Sequence, residues 1–188
     1  MIMSDLEEKY YKLYRGTWDL AYKIAGEFYD KNTREHALEV MERVGKMDRH
    51  HDKTCGHDFE CTDIDIFWQK AVIVAVLHDI IEDTDCTAEI LRERGIDEDI
   101  VNAIEILTRP KETHDYFDDY ITRVKKNELC RVVKIADLEH NMDVTRLDKF
   151  GDYEQKRLKK YWYSWRYLRG DLSETVAHNT LHPDNKYR

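Results

Sequence analysis

The feature that most constrains the fold is an unbroken apolar run that leads directly into a histidine and an aspartate. Residues 71–77 read AVIVAVL, and His78 and Asp79 follow at once. A helix with one exposed side would carry polar residues every three or four positions, so this run predicts a helix buried on nearly all sides. His78 and Asp79 then reach the interior, where an unpaired polar group costs about 2–7 kcal/mol. A divalent metal would provide a partner.

Two further carboxylates, Glu82 and Asp83, follow one helical turn later. On a continuous helix His78 would share a face with Glu82, and Asp79 would share it with Asp83. This pattern predicts an inner and an outer polar pair that point the same way. The alternative interpretation is a buried core histidine followed by a helix cap between Asp83 and Thr87.

Composition favours an all-α protein. The chain has 188 residues with only two prolines and seven glycines, and 37% of its residues are charged, which is typical of helical proteins. We expect residues 1–188 to form a single domain, a bundle of about seven to nine helices, with residues 171–188 as a partly ordered tail. The net charge of −9 argues against nucleic acid or an anionic membrane as partner, and a phosphate substrate would need a local positive centre.

Cysteine usage and hydropathy predict a cytoplasmic protein. The four cysteines show no C-x-x-C spacing, and no signal peptide or 18-residue apolar span is apparent, so reduced thiols are expected.

A polar loop is predicted at residues 46–65. Cys55, His57 and Cys61 within it suggest zinc, but their spacing matches no common structural zinc pattern, and a surface loop that covers the pocket is favoured.

A second helical stripe is interrupted by polar residues. Val133, Asp137 and Asn141 follow one another at intervals of one turn, and His140 lies beside them. A lone buried aspartate usually forms an ion pair or a cap, but a second polar group in register favours a site. His36 is expected in the first turn of another helix, on the side that faces the core.

These residues suggest a mixed nitrogen and oxygen metal site. Two imidazoles and two carboxylates suit Mn²⁺, Fe²⁺, Co²⁺, Ni²⁺ or Zn²⁺ better than Ca²⁺, which prefers oxygen alone. Such an ion would offset the charge of a phosphate and lower the pKa of a bound water, while Glu82 and Asp83 could take the proton from that water or orient it. The candidate ligands are His36, His78, Asp79 and Asp137.

The segment 152–170 alternates aromatic and basic residues. Such a pattern could stack a nucleobase and hold phosphates. The favoured interpretation is an aromatic core face with a solvated basic side, because aromatic burial dominates packing.

Three motifs resemble those of the HD-domain metal-dependent phosphohydrolases, and in particular of the alarmone hydrolases, which remove pyrophosphate from the 3′ position of guanosine polyphosphates. The motifs are HALEV at 36–40, LHDIIEDT at 77–84 and VKIADLEHNM at 133–142. The resemblance implies Mn²⁺ as the usual ion and assigns roles to seven residues: His36, His78, Asp79 and Asp137 as metal ligands, Glu82 and Asp83 as the residues that act on the water, and Asn141 as a neighbour of the substrate.

We also predict that Lys134 and Arg109 bind the substrate, which is expected to be a small-molecule nucleotide. The sequence does not decide whether the chain forms a homodimer.

Two alternatives to the pyrophosphohydrolase are considered: a nucleoside 5′-monophosphatase or other small phosphoester hydrolase, and a non-catalytic nucleotide-binding module that keeps the metal as a structural pin. Glu82 and Asp83 argue against the module, because a structural site needs no extra carboxylates. The chain departs from the alarmone hydrolases in its short segment before His36, at Leu138, and in its longer loop at 46–65.

Overall fold

The chain is mostly helical over the residues that the computed structural model describes, 5–48 and 62–183, with side chains described over 16–47 and 66–183. These residues contain no strand, so the all-α prediction is confirmed. The elements are α1 Asp5–Phe28, α2 Lys31–Asp48, α3 Thr62–Leu77, α4 Ile80–Asp83, α5 Ala88–Glu93, α6 Glu98–Leu107, a π-helical segment Tyr116–Ile121 that continues into α7 Thr122–Lys125, α8 Glu128–Asn141, a 3₁₀ turn Val144–Arg146, α9 Asp152–Arg169 and α10 Glu174–Leu181.

Helix α3 is the centre of the core. Every side chain from 71 to 77 is at most 4% exposed, and α3 packs against α1, α2, α6 and α8. Burying a large aliphatic side chain stabilises the fold by about 1.5–3 kcal/mol, so this helix is a principal source of stability. The prediction of a helix buried on nearly all sides is confirmed.

Helix α3 ends at Leu77, and His78 and Asp79 form a turn before α4 begins. His78 and Asp79 thus lie at the end of the buried helix, as predicted, but Glu82 and Asp83 belong to a separate helix, so the predicted i, i+4 polar pairs do not share one continuous helix. The reason is local: His78 Nδ1 donates to the Ala75 carbonyl at 2.8 Å, and a continuing helix would use that carbonyl for the N–H of Asp79.

Helices α2 and α8 lie against α3 and against each other. Helix α8 begins where the Asn127 side chain accepts the Cys130 N–H at 3.1 Å, which satisfies one of its free amide groups. This cap fixes the residue at which α8 begins, and the resulting helix buries Val133, Asp137 and His140 together. Polar groups on this face therefore meet α2 and α3 inside the protein.

The predicted loop at 46–65 is shorter than expected, because α2 continues to Asp48 and α3 begins at Thr62. The intervening residues, including the cysteines and histidine that suggested zinc, lie outside the described residues. In the part of the chain that is described, no helix combines the length and hydropathy needed to cross a bilayer.

Helix α9 is less buried than its aromatic pattern predicts. Tyr167 and Leu168 are buried, but Tyr153 and Trp162 are 71% and 47% exposed, so the aromatic residues do not form one core face. Gly170 ends the helix with a φ of +87°, a conformation that glycine adopts without strain. Helix α10 follows within the segment predicted as a tail, and residues 184–188 lie outside the described part.

Candidate metal centre

The four predicted metal ligands lie together at the C-terminal end of α3. His36 comes from α2, His78 and Asp79 from the turn after α3, and Asp137 from α8. His36 Nε2 is 3.1 Å from Asp137 Oδ1 and 3.6 Å from Asp79 Oδ2. His78 Nε2 is 2.9 Å from Asp79 Oδ2 and 3.8 Å from Asp137 Oδ1. Residues separated by up to about a hundred positions thus converge on one point.

The spacing of three of these side chains suits one divalent cation: His36, His78 and Asp79 offer donor atoms that all lie within 4.8 Å of one another. Asp137 Oδ1 lies 3.1 Å and 3.8 Å from the two Nε2 atoms, so it borders this group on the histidine side. His78 Nε2 is buried, and no described atom meets it with hydrogen-bond geometry, although Asp79 Oδ2 is 2.9 Å away. Such an orphaned nitrogen is expected where a lone pair serves a metal. The donor set does not distinguish among Mn²⁺, Fe²⁺, Co²⁺, Ni²⁺ and Zn²⁺.

Hydrogen bonds orient both imidazoles with Nε2 toward the cluster. His78 Nδ1 donates to the Ala75 carbonyl, which leaves the lone pair on Nε2. His36 Nδ1 lies 2.6 Å from His140 Nδ1. Arg146 donates to that same His140 nitrogen at 3.1 Å, so His140 is the acceptor there and His36 Nδ1 must be the donor. With Nδ1 as the donor in each ring, the Nε2 lone pairs of His36 and His78 are available to bind a cation.

Opposite charges within the cluster shift the pKa values of its side chains. Burial lowers the pKa of His78, but the Asp79 and Asp137 carboxylates outweigh it and raise that pKa to about 10. Burial raises the pKa of Asp79, yet His78 and His36 hold it well below its ordinary value. Cation binding must therefore displace imidazole protons, and metal affinity should increase with pH.

Glu82 and Asp83 line a cavity of about 710 Å³ beside the cluster. Glu82 accepts the Arg109 backbone N–H at 2.9 Å and lies 3.4 Å from its guanidinium. Burial raises the pKa of Asp83, and the charges of Asp79 and Glu82 raise it further. A carboxylate with a raised pKa is a better proton acceptor near neutrality. Arg109, predicted to bind the substrate, lines this cavity while it also holds Glu82.

The other two residues predicted to bind the substrate contact Asp137. Lys134 Nζ is 2.7 Å from Asp137 Oδ2, and Asn141 donates from Nδ2 to Oδ1 at 2.5 Å. Burial lowers the pKa of Lys134, but Asp137 outweighs it and the pKa is raised, so the lysine is charged at neutral pH. Both side chains orient the carboxylate that faces the two histidines.

Residues 33–142, more than half of the chain, match the family model of the HD domain. The matched range contains all four clustered residues. The chain belongs to the HD domain family. A search of curated proteins finds no match. Membership of this family indicates a metal-dependent hydrolase, and HD domains bind divalent metals.

Within this HD domain, His140 contacts the predicted ligand His36 directly, whereas sequence reasoning treated it only as a neighbour of the site. Burial lowers its pKa to about 4, with further lowering by His36 and Arg146. It is therefore neutral near pH 7, as its acceptor role requires. Its position one turn after Asp137 on the buried face was the signal that could have identified it.

Proposed function

We propose that this HD domain hydrolyses a phosphoester of a nucleotide, with guanosine polyphosphate 3′-pyrophosphohydrolase as the leading candidate. The observation that carries the proposal is the convergence of two imidazoles and two carboxylates beside a cavity lined by Glu82 and Asp83. The resemblance of the LHDIIEDT and VKIADLEHNM motifs to those of the alarmone hydrolases supports pyrophosphate as the released group.

His36, His78, Asp79 and Asp137 would hold the cation, and the proposed ion is Mn²⁺. A divalent ion supplies positive charge that offsets the phosphate and makes water more acidic. Asp83, whose pKa is raised, then accepts the proton of the attacking water at its carboxylate. Glu82, fixed by the Arg109 N–H, orients that water. The two carboxylates thus have separate tasks, proton transfer and positioning.

The surroundings of the cavity support an anionic substrate. The whole chain carries a net charge of −9, yet Arg109, Lys111 and His114 line this cavity. Lys134 adds a buried positive charge next to Asp137. These positive groups around Glu82 and Asp83 support the proposal that a phosphate binds in this cavity.

The proposal predicts that Asp83→Asn and Glu82→Gln each retain the metal and reduce turnover by about 100-fold or more, the usual scale of a lost acid–base group. Metal content after purification without chelators and hydrolysis with Mn²⁺ measure the two effects. Asp85→Asn, which removes an exposed carboxylate two positions along, is the matched control and should behave as the parent. Full activity of Glu82→Gln on every phosphoester tested would contradict its role in water activation.

The products separate the remaining candidates. Release of pyrophosphate from a guanosine 3′-diphosphate supports the leading candidate, whereas inorganic phosphate from nucleoside monophosphates supports a monophosphatase. Bound metal without turnover of any substrate would support the non-catalytic module.

A further inference from the structure

Tyr116 forms part of the wall between two cavities. On one side is the 710 Å³ cavity with Glu82 and Asp83. On the other is a cavity of about 290 Å³, also lined by Tyr116, whose remaining lining includes Lys156, Lys159, Lys160 and His182. The second cavity is rich in cations, and the proposed function uses none of them.

The Tyr116 hydroxyl is buried and has no hydrogen-bond partner among the described residues. Leaving such a group unpaired is unfavourable, because water no longer solvates it. Burial raises the pKa of this phenol, and Lys134 and Asp137 are among the charged groups that act on it. The hydroxyl therefore remains a hydrogen-bond donor at neutral pH.

Lys160 of α9 lies directly over this ring. Its Nζ is 4.3 Å from the ring centroid of Tyr116 and 5.3 Å from that of Tyr161, and it forms no ion pair with a carboxylate in the described part of the chain. Burial lowers its pKa, the charges of Arg109, Lys134 and Arg157 lower it further, and Asp115, which also lines the smaller cavity, raises it. Positive charges outnumber this carboxylate around Lys160, and an anion stabilises such a cluster.

A series of contacts connects this lysine to the metal centre. Lys134 Nζ is 2.7 Å from Asp137 Oδ2 and 5.2 Å from the Tyr120 ring centroid. The Tyr120 and Tyr116 rings are 5.5 Å apart, and Lys160 covers Tyr116. Lys134, Tyr120 and Tyr116 thus form a continuous path of contacts from Asp137 to Lys160.

We propose that Lys160 and Tyr116 bind a second phosphoryl group of the substrate, next to the one that the metal centre takes, and so determine a preference for diphosphorylated over monophosphorylated nucleotides. The inference rests on the proposed function and deepens it. Phosphate oxygens accept hydrogen bonds from both a phenol and an ammonium group, and bonds to charged groups are the strong ones. Neither Lys160 nor any other α9 residue lies within the matched HD range.

Two substitutions test the subsite with little change in shape. Tyr116→Phe removes only the unpaired hydroxyl, and Lys160→Gln removes only the charge. Each should raise the KM for a nucleoside 3′-diphosphate about tenfold, the scale of one hydrogen bond to a charged group. The kcat and the KM for the corresponding 3′-monophosphate should change less than twofold. A structural role alone would affect both substrates equally.

A second measurement does not depend on turnover. Inorganic pyrophosphate is titrated into the Mn²⁺-loaded protein by calorimetry, and both variants should bind it about tenfold more weakly than the parent. Tyr163→Phe and Lys126→Gln, which remove the same groups outside both cavities, are the matched controls and should bind as the parent does.

The outcomes separate this inference from the proposed function. If the parent hydrolyses diphosphates and both variants keep its KM and its pyrophosphate affinity, the subsite is wrong and the proposed function stands. If only Lys160→Gln weakens binding, the role of Tyr116 is overturned and that of Lys160 is supported. If the parent hydrolyses no phosphoester, the proposed function fails, and pyrophosphate binding alone decides the subsite.

Discussion

At the scale of single residues, the position of one proton on His36 decides which of its nitrogens can bind a cation. His36 Nδ1 donates this proton to His140 Nδ1, and the two nitrogens are 2.6 Å apart. His140 Nδ1 must be an acceptor, because Arg146, which can only donate, also contacts it. A positioned hydrogen bond of this kind fixes both the tautomer and the ring orientation of a ligand. His140 therefore affects the metal centre by positioning His36. It is not itself one of the proposed metal ligands.

Replacing His140 by phenylalanine should weaken Mn²⁺ binding by about 10–100-fold, the usual effect of losing such a partner. Phenylalanine keeps an aromatic ring where His140 stacks on His36 at a centroid distance of 4.7 Å. A loss of Mn²⁺ affinity would therefore come from the missing hydrogen bond. Titration with Mn²⁺ at constant pH measures it. Parental affinity in His140→Phe would refute the positioning role.

At the scale of elements, two histidines dock α10 on the π-helical segment. His178 Nδ1 lies 2.8 Å from Asp118 Oδ2, and His182 Nε2 lies 2.5 Å from Asp115 Oδ2. Asp115 also accepts the N–H groups of Phe117 and Asp118 at the start of that segment. The same carboxylate thus begins one helix and anchors another.

The docking of α10 should weaken as the pH rises. Burial lowers the pKa of His182, but Asp115 outweighs it, so the folded pKa lies above the ordinary value of 6.5. The stabilisation is fully present below about pH 6.5 and is lost as the pH rises through the raised folded pKa. Amide hydrogen exchange, expressed as protection factors, should show declining protection in α10 but not in α6 over this range.

The variant His182→Asn is the control for this pH dependence. It keeps a polar side chain that does not titrate, so protection of α10 should be lower than in the parent at pH 6 and should no longer change with pH. A parental pH profile in this variant would show that another group controls the docking.

At the scale of the whole molecule, the metal centre joins helices that are distant in the chain. Its four side chains come from α2, the turn after α3, and α8, and all three elements pack against one another in the core. An ion bound by all of them stabilises the folded chain over the unfolded one, because the unfolded chain has no such site.

Mn²⁺ at one hundred times its Kd should therefore add about 2.7 kcal/mol of stability. For a chain of this length that corresponds to a rise in Tm of about 5–10 °C. Thermal unfolding with and without Mn²⁺, and after treatment with a chelator, measures the shift. Asp79→Ala removes a ligand and should abolish it; an unchanged shift in that variant would place the stabilising ion elsewhere.

The sequence by itself determined the helical class, the buried α3 and the residues that form the cluster. Those features are encoded locally, because the period of apolar residues and the run before His78 need no knowledge of distant neighbours. The motifs also placed Glu82 and Asp83 near the cluster, although the two carboxylates belong to α4 and not to the buried helix α3.

Only the tertiary structure decided how those residues work together. The hydrogen bond that fixes His36 joins positions 36 and 140, Glu82 depends on the Arg109 N–H, and Lys160 of α9 reaches Tyr116 across a helix interface. Periodicity identifies which face of a helix is buried, but it cannot pair that face with a partner. Partners are chosen by packing, in which side chains remote in sequence meet because their helices fill one core.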